Sequence, residues 1–554
     1  MRPYRLLFVI AALAACAPAA TRNPPAAPAP AAPPIAPAPP VAPAPVPIAE
    51  PEPAAAPNAV PDSWWMKDRL PSGSYGAGVE RAYAELLKDR RPARTVVVAI
   101  IDSGVDTTHA DLHGNLWRNA DEVAGNGKDD DRNGYVDDVR GWDFIGGPGG
   151  NVDKDTYEVT RLFVRCEAGG PPPPLATCAD VRAEFAQKRS ETQEQITQIK
   201  AMDRNVDQVV AVLKREIGGD SLTTARVAAL KPVRADVGQA QQIYMQLAAN
   251  GITPQIIKDE IKRLEELLAY GLNPEFDPRK VVGDTYTNAK ERNYGNTDVV
   301  GPDASHGTGV AGIVAALRNG TGVDGIASGA QIMVVRTVPD GDERDKDVAN
   351  AIRYAVDNGA NIINMSFGKG FSPDKAVVDE AVRYADEKGV LLVHAAGNDG
   401  KDLETERNFP NRTYLSGGSA KNWLEVGAAG WQGRDQLAAE YSNYGRTAVD
   451  LFAPGSDITS TSLKGGYDAA SGTSFAAPVV SGVAALLMAY YPSLTAADVK
   501  RIILESATPL KDQVVKLPGG DTTIRFGELS ATGAIINAYN AVKLAEQVAA
   551  TRVQ

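Results

Sequence analysis

Four short stretches of this 554-residue chain hold side chains able to do chemistry together. Asp102 stands in Ile100-Ile101-Asp102-Ser103-Gly104, directly after an apolar run. His306, one of four histidines, opens the glycine-rich Ser305-His306-Gly307-Thr308-Gly309. Asn398 lies in Ala396-Gly397-Asn398-Asp399, and Ser474 in Gly472-Thr473-Ser474-Phe475-Ala476. A carboxylate can hold an imidazole in one tautomer and stabilise its cation. A serine at a helix start exposes its oxygen beside free backbone N–H groups, and an asparagine amide can add a second donor for a developing oxyanion. Each stretch alone has a plainer reading: a turn aspartate, a surface helix start, a Gly-Asn turn and an N-cap serine. The Gly-x-Ser-x-Gly elbow of α/β-hydrolases is absent.

These residues need a frame to converge. The runs at 95–101, 331–336, 362–366, 390–394, 424–428 and 449–452 are short and apolar. They read as strands buried on both faces. Helical patterns at 347–358 and 374–388 alternate with them, so an α/β fold is expected, its parallel sheet covered by helices on both faces. Asp102 then sits at the carboxyl end of a strand, where open α/β sheets place their ligands. The helix after Ser474 is mostly Ala, Val and Leu and is expected to be buried, with Pro478 early enough for a first helical turn. From 151 to 300 the rhythm breaks. Phe185, Ile199, Val206 and Leu213 recur at multiples of seven, Ile196, Val210 and Ile217 fill the adjacent stripe, and 256–268 repeats the pattern. A mainly helical insertion containing a hairpin is expected. Cys166 and Cys178 flank Pro171–Pro174 there, either as a disulfide or as two free thiols.

Asp, His, Asn and Ser in this order and local wording resemble the subtilisin family of serine proteases, over about 79–542 outside the insertion. The resemblance extends to Asn364-Met365-Ser366-Phe367-Gly368, similar to the family's substrate-pairing strand, and to Phe452-Ala453-Pro454-Gly455. It implies a subtilisin-like fold and a serine endopeptidase acting on polypeptides. Ser474 would attack the peptide carbonyl, His306 would take its proton and Asp102 would orient His306. The Asn398 amide and the Ser474 N–H would hold the oxyanion, and Ser366 and Gly368 would bind substrate. A catalytically idle scaffold or binding protein on the same fold is the alternative, and the intact set of four speaks against it. The insertion separates Asp102 from His306 more widely than in compact members, and Gly309 stands where a second histidine is common.

Asp129, Asp131, Asn133 and Gly134 match the first half of an EF-hand-like calcium loop, with the Tyr135 carbonyl and Asp137 completing it. Arg140 stands at the twelfth position, so a partial loop or a solvated acidic turn are both open. Asp111 aligns with a calcium ligand of the family. Structural calcium is thus expected and no organic cofactor. Zinc is not expected, because His109 and His113 lack cysteine neighbours.

The first sixteen residues carry Arg2 and Arg5, an apolar run and Leu13-Ala14-Ala15-Cys16, which resembles a bacterial lipobox acylated at Cys16. With Ala17 next, an exported protein anchored by lipid at the cell envelope is expected, at the outer membrane of a double-membraned bacterium. Residues 17–61 are rich in Ala and Pro and read as an extended tether. It leaves no room for the folded pro-domain of secreted relatives. The protease domain is then 62–545, interrupted by 151–300. A net charge of −12 without a basic block argues against a nucleic-acid partner. No polytopic membrane protein is expected, and membrane contact runs through the N-terminal lipid only.

Overall fold

The computed structural model describes residue 60 and residues 63–552 apart from 71, 72 and 220. Cys16, the segment 1–16 and nearly all of 17–61 lie outside the described residues. The strands used below are β1 (Val97–Asp102), β2 (Gly141–Asp143), β3 (Gln331–Arg336), β4 (Ile362–Met365), β5 (Leu391–Ala395), β6 (Trp423–Gly433), β7 (Leu451–Pro454), β8 (Ile458–Ser462), β9 (Gly466–Ala470), β10 (Thr508–Pro509) and β11 (Ala534–Ile535). The helices are α1 (Glu158–Glu167), α2 (Cys178–Ile217), α3 (Ala235–Ala249), α4 (Pro254–Glu266), α5 (Ser305–Ala315), α6 (Asp345–Asp357), α7 (Lys375–Glu387), α8 (Thr473–Tyr490), α9 (Ala496–Ser506) and α10 (Ala538–Ala550).

The main sheet runs in the order β10-β11-β7-β6-β5-β4-β1-β3-β2. All neighbours are parallel except β10 with β11. Side chains alternate between faces along a strand. In β1, Val98 and Ile100 join the core under α5, α8, α9 and α10, while Ala99 and Ile101 join the core under α6 and α7. From β1 the chain passes to β2 and then β3 on one side and crosses to β4 on the other. This reversal puts a crevice at the carboxyl ends of β1 and β4. Asp102 is the last residue of β1 and shares the face of Ile100, hence of α5.

Helix α8 is the one described helix long and apolar enough to cross a membrane, and 89% of its apolar window is buried inside the protein. Pro478 is its sixth residue, beyond the first turn expected from sequence. A proline there cannot donate to the carbonyl four residues back, which is that of Ser474. That carbonyl accepts instead from the Ser366 hydroxyl at 2.8 Å. The second-turn proline thereby leaves an acceptor that joins the helix start to the end of β4.

Between β2 and α5 the chain forms α1 to α4, then irregular segments to residue 304. Cys166 and Cys178 form a disulfide, with Cα atoms 5.7 Å apart, and α1 and the start of α2 pack around it through Val159, Leu162, Val181 and Phe185. Residues 194–263 make a compact unit of their own. Val209, Leu213, Val227 and Ala240 form a core there, and Gln241 Nε2 bonds the carbonyls of Val227 and Leu230. Val206, Val209 and Leu213 are buried along α2, whereas Val210 and Ile217 are half-buried. At 3.6 residues per turn a period-seven stripe drifts around a straight helix, which moves the buried position from 210 to 209.

Candidate active site

Asp102 is buried, and its Oδ1 accepts two hydrogen bonds: the Ser103 backbone N–H at 2.8 Å and His306 Nδ1 at 2.7 Å. A carboxylate only accepts, so Nδ1 carries the proton and Nε2 is the basic nitrogen. His306 is the second residue of α5. It comes this close because Gly307 has no side chain: a Cβ there would stand 2.1 Å from the Gly104 carbonyl oxygen. Hairpin β8–β9 fixes the helix start, with Ser460 Oγ donating to Gly309 O and Thr461 Oγ1 to Thr308 O, both at 2.7 Å. Burial acts to lower the His306 pKa. The charge and hydrogen bond of Asp102 outweigh it, and the net value is raised above that of an ordinary imidazole.

Ser474 is the second residue of α8 and half-buried. Phe475, next to it, meets the His306 ring edge-on with centroids 5.5 Å apart. The Ser366 tie belongs to a buried chain in which Ser481 Oγ donates to Asn364 Oδ1 and Asn364 Nδ2 to Ser366 Oγ. Ser366 therefore spends its hydroxyl on positioning the Ser474 turn. Gly368, two residues further, is exposed and lies against Asn408. Asn408 Nδ2 in turn donates to the carbonyls of Ala395 and Ala396 at 3.2 and 3.0 Å. It spans from the 366–368 edge to the end of β5, and no motif had singled it out.

Asn398 follows β5. Its Oδ1 accepts from the Thr473 backbone N–H at 2.8 Å and from Thr473 Oγ1 at 3.0 Å. A backbone N–H can only donate, so this pair settles which amide atom is oxygen and turns the NH₂ away from Thr473. Gly397 needs its φ of +100°, and a Cβ there would collide with Asn443 Nδ2. Asn443 Oδ1 accepts from the backbone of Asp399 and Lys401, which braces the loop on its far side. Thr473 and Asn443 were not legible as site residues, because their partners are distant in sequence.

In the acidic loop, carboxylate oxygens of Glu122, Asp129 and Asp131 lie within 4.8 Å of one another. Three like charges this close suit a hard divalent cation with oxygen ligands. Asn133 Oδ1 accepts from Tyr135 N, and its Nδ2 donates to Asp131 and Asp138. The Asp137 carboxylate takes the backbone N–H groups of Asn126 and Gly127. The structure thus groups Asp129 and Asp131 with Glu122, which lies outside the sequence pattern, while the Asn133 N–H donates to Asp129 and Asp131 and the Asp137 N–H to Glu122. Asp111 accepts the Tyr467 hydroxyl at 2.8 Å.

Fold and site together define a parallel α/β protein with an Asp–His pair, an oriented amide and a serine at a helix start near the carboxyl edge of its sheet. Residues 93–520 match the subtilase family, and the chain belongs to it. It is similar to a thermophilic serine proteinase of Bacillus sp. (strain AK1), 36% identical over 272 residues that cover 49% of this chain and 58% of that protein. It is also similar to subtilisin of Bacillus pumilus, 36% identical over 210 residues covering 37% of this chain and 71% of that one. The chain spans about half the length of most of the curated relatives it matches. Among solved structures, a protease from Pseudoalteromonas arctica PAMC 21717 aligns at 20% identity with a TM-score of 0.45, covering 87% of this chain and 97% of that one.

Proposed function

We propose that this chain is a serine endopeptidase using Ser474 as nucleophile, His306 as base and Asp102 as orienting carboxylate. The 2.7 Å bond from His306 Nδ1 to Asp102 Oδ1 carries the reading, because it leaves Nε2 as the proton acceptor. An extended polypeptide pairs with the 366–368 edge, which runs from the Ser474 turn. Ser474 Oγ attacks the scissile carbonyl as Nε2 takes its proton, and Asp102 stabilises the imidazolium. The tetrahedral oxyanion is held by the Asn398 NH₂ and the Ser474 backbone N–H, whose position in the first turn leaves it without a helical partner. Nε2 then gives its proton to the leaving amine, and water repeats the sequence on the acyl-enzyme.

A serine-directed phosphonate tests this on the full chain. Adduct at Ser474 and hydrolysis of a peptide library, both lost in Ser474→Ala, are expected. A folded protein that takes no label would instead be the idle scaffold.

Glu122, Asp129 and Asp131 are the residues we assign to structural calcium, which would neutralise their mutual repulsion and hold the loop before β2. Adding a chelator is expected to lower Tm, and calcium at a hundred times its Kd to restore it, corresponding to about 2.7 kcal/mol of stability. Glu122→Gln should remove most of that response. A Tm indifferent to both additions excludes the assignment. For location, the lipobox wording at Cys16 supports a lipid anchor at the outer membrane, with the domain held up to ~140 Å away on the Pro-rich tether. Mass analysis of the N-terminal peptide from membranes checks this: an unmodified Cys16 would rule it out.

A further inference from the structure

On the peptidase reading, on which this inference rests, the far end of the 366–368 edge meets the amino-terminal part of a substrate. Gly368 is exposed, but the chain turns inward directly after it. Lys369 pairs its backbone with Phe409, donating at 3.0 Å and accepting at 2.9 Å, and its side chain is buried. Lys369 Nζ is held by Glu158 Oε2 at 2.7 Å, Asp345 Oδ1 at 2.8 Å and the Glu343 carbonyl at 2.8 Å. Glu158 opens α1. From the same helix Arg161 donates to the carbonyls of Asp342 and Glu343 at 3.1 and 3.3 Å. Segment 342–343 and α1 therefore wall off the edge beyond Gly368, and the carbonyls of that segment are already engaged.

The charges at this wall do not balance. Asp155, Glu158, Asp342, Glu343 and Asp345 share the three cations Arg161, Arg344 and Lys369. Arg344 grips Asp155 at 2.7 and 2.9 Å, Arg161 and Lys369 take Glu158, and Lys369 also takes Asp345. Among the described residues no ion pair reaches the carboxylates of Asp342 or Glu343. Glu343 is 2% exposed and its Oε1 has no hydrogen-bond partner. Burial and the nearby carboxylates push its pKa up to about 8, although Lys369 pulls the other way. A buried carboxylate with an unpartnered oxygen and no ion pair is short of one positive partner.

We infer that Glu343 is a specificity-determining residue that receives a cationic group of the substrate on the amino-terminal side of the scissile bond. A peptide laid antiparallel to Ser366-Phe367-Gly368 meets the wall after roughly as many residues as that edge contains, about three. The shared chemistry is an ammonium or guanidinium, supplied by the free amino terminus of a short substrate or by a Lys or Arg side chain of a longer one. On arrival it supplies the positive partner that the Glu343 carboxylate lacks.

The full chain is assayed on matched fluorogenic peptides. One pair compares a free with an acetylated tripeptide amino terminus. The other, acetylated and longer, compares Lys with norleucine three and four residues before the scissile bond. At least one charged member is expected to exceed its neutral partner about tenfold in kcat/KM, the scale of one charge-assisted hydrogen bond. The pair that responds identifies the source. Glu343→Gln should bring the ratio to about one, with Glu343→Ser as a second variant if the first does not fold. Equal rates on both pairs with the unaltered chain, or an unchanged ratio in a folded variant, overturn the inference. Phosphonate labelling of the same preparation separates the two failures. Label and cleavage without charge preference overturn this inference alone, whereas neither label nor cleavage overturns the peptidase reading with it.

Discussion

Asp102→Asn is expected to lower kcat about 10⁴-fold. The carboxylate receives the hydrogen bond of His306 Nδ1–H and so leaves Nε2 as the basic nitrogen. An asparagine can turn its NH₂ toward Nδ1 and make it the acceptor, which puts the proton on Nε2. That tautomer cannot take a proton from serine. The pH dependence adds a check. Desolvation lowers the His306 pKa, and Asp102 more than reverses this, so the net value is raised. A base works in its neutral form, so kcat/KM of the unaltered chain should rise with pH through a value above the ordinary ~6.5. In Asp102→Asn desolvation is opposed only by the smaller pull of Asp303, and the acid limb should move below that of the parent. The stability sign is opposite: a raised folded-state pKa contributes fully at pH below the unfolded value, and the contribution is lost as pH rises through the folded one. Peptide hydrolysis from pH 5 to 9, with circular dichroism to show folding, measures all of this. A loss under tenfold, or an acid limb that stays in place, would remove Asp102 from the mechanism.

Asn398→Ala should lower kcat by ~10²–10³ with KM nearly unchanged, the range for one oxyanion donor. Thr473 holds Asn398 Oδ1 through both its N–H and its hydroxyl, so the NH₂ is aimed before substrate arrives and costs no reorganisation during reaction. The ground-state carbonyl carries little charge and gains little from the donor, which confines the effect to the chemical step. Asn398→Asp is the informative companion. A carboxylate still accepts from Thr473 but offers no donor and brings negative charge toward the oxyanion, so it should lose at least as much activity. Steady-state kinetics that moved KM alone would make Asn398 a substrate-binding residue instead.

Much of the frame was legible because buried parallel strands are short β-branched runs. β3 matches its predicted range, and the other five strands lie within two residues of theirs at either end except β6, which continues to Gly433. Asp102, His306 and Ser474 were legible through their positions, at one strand end and two glycine-rich helix starts. Nothing in the sequence signalled that the Ser366 hydroxyl secures the Ser474 turn, which follows because Pro478 stands one turn later than expected and frees the Ser474 carbonyl. Spacing alone left the cysteines open between thiols and a disulfide, and the packing of α1 on α2 brings them together. Glu122 escaped notice since it precedes Asp129 and enters the acidic group only after the chain folds back on itself.

By itself the sequence determined the family and the elements that carry the candidate site. Residue types and their neighbours within about ten positions decide strands, helix starts and the reactive groups they present. Tertiary structure alone decided the orientation of the Asn398 amide by Thr473, the tie from Ser366 to Ser474 and the wall that Glu158, Arg161 and Lys369 build beyond Gly368. Each depends on hydrogen bonds between residues 75 to more than 200 apart in the chain. Such bonds have no periodicity to betray them. They exist only where parallel strands and their crossover helices bring those distant residues to one edge of the sheet.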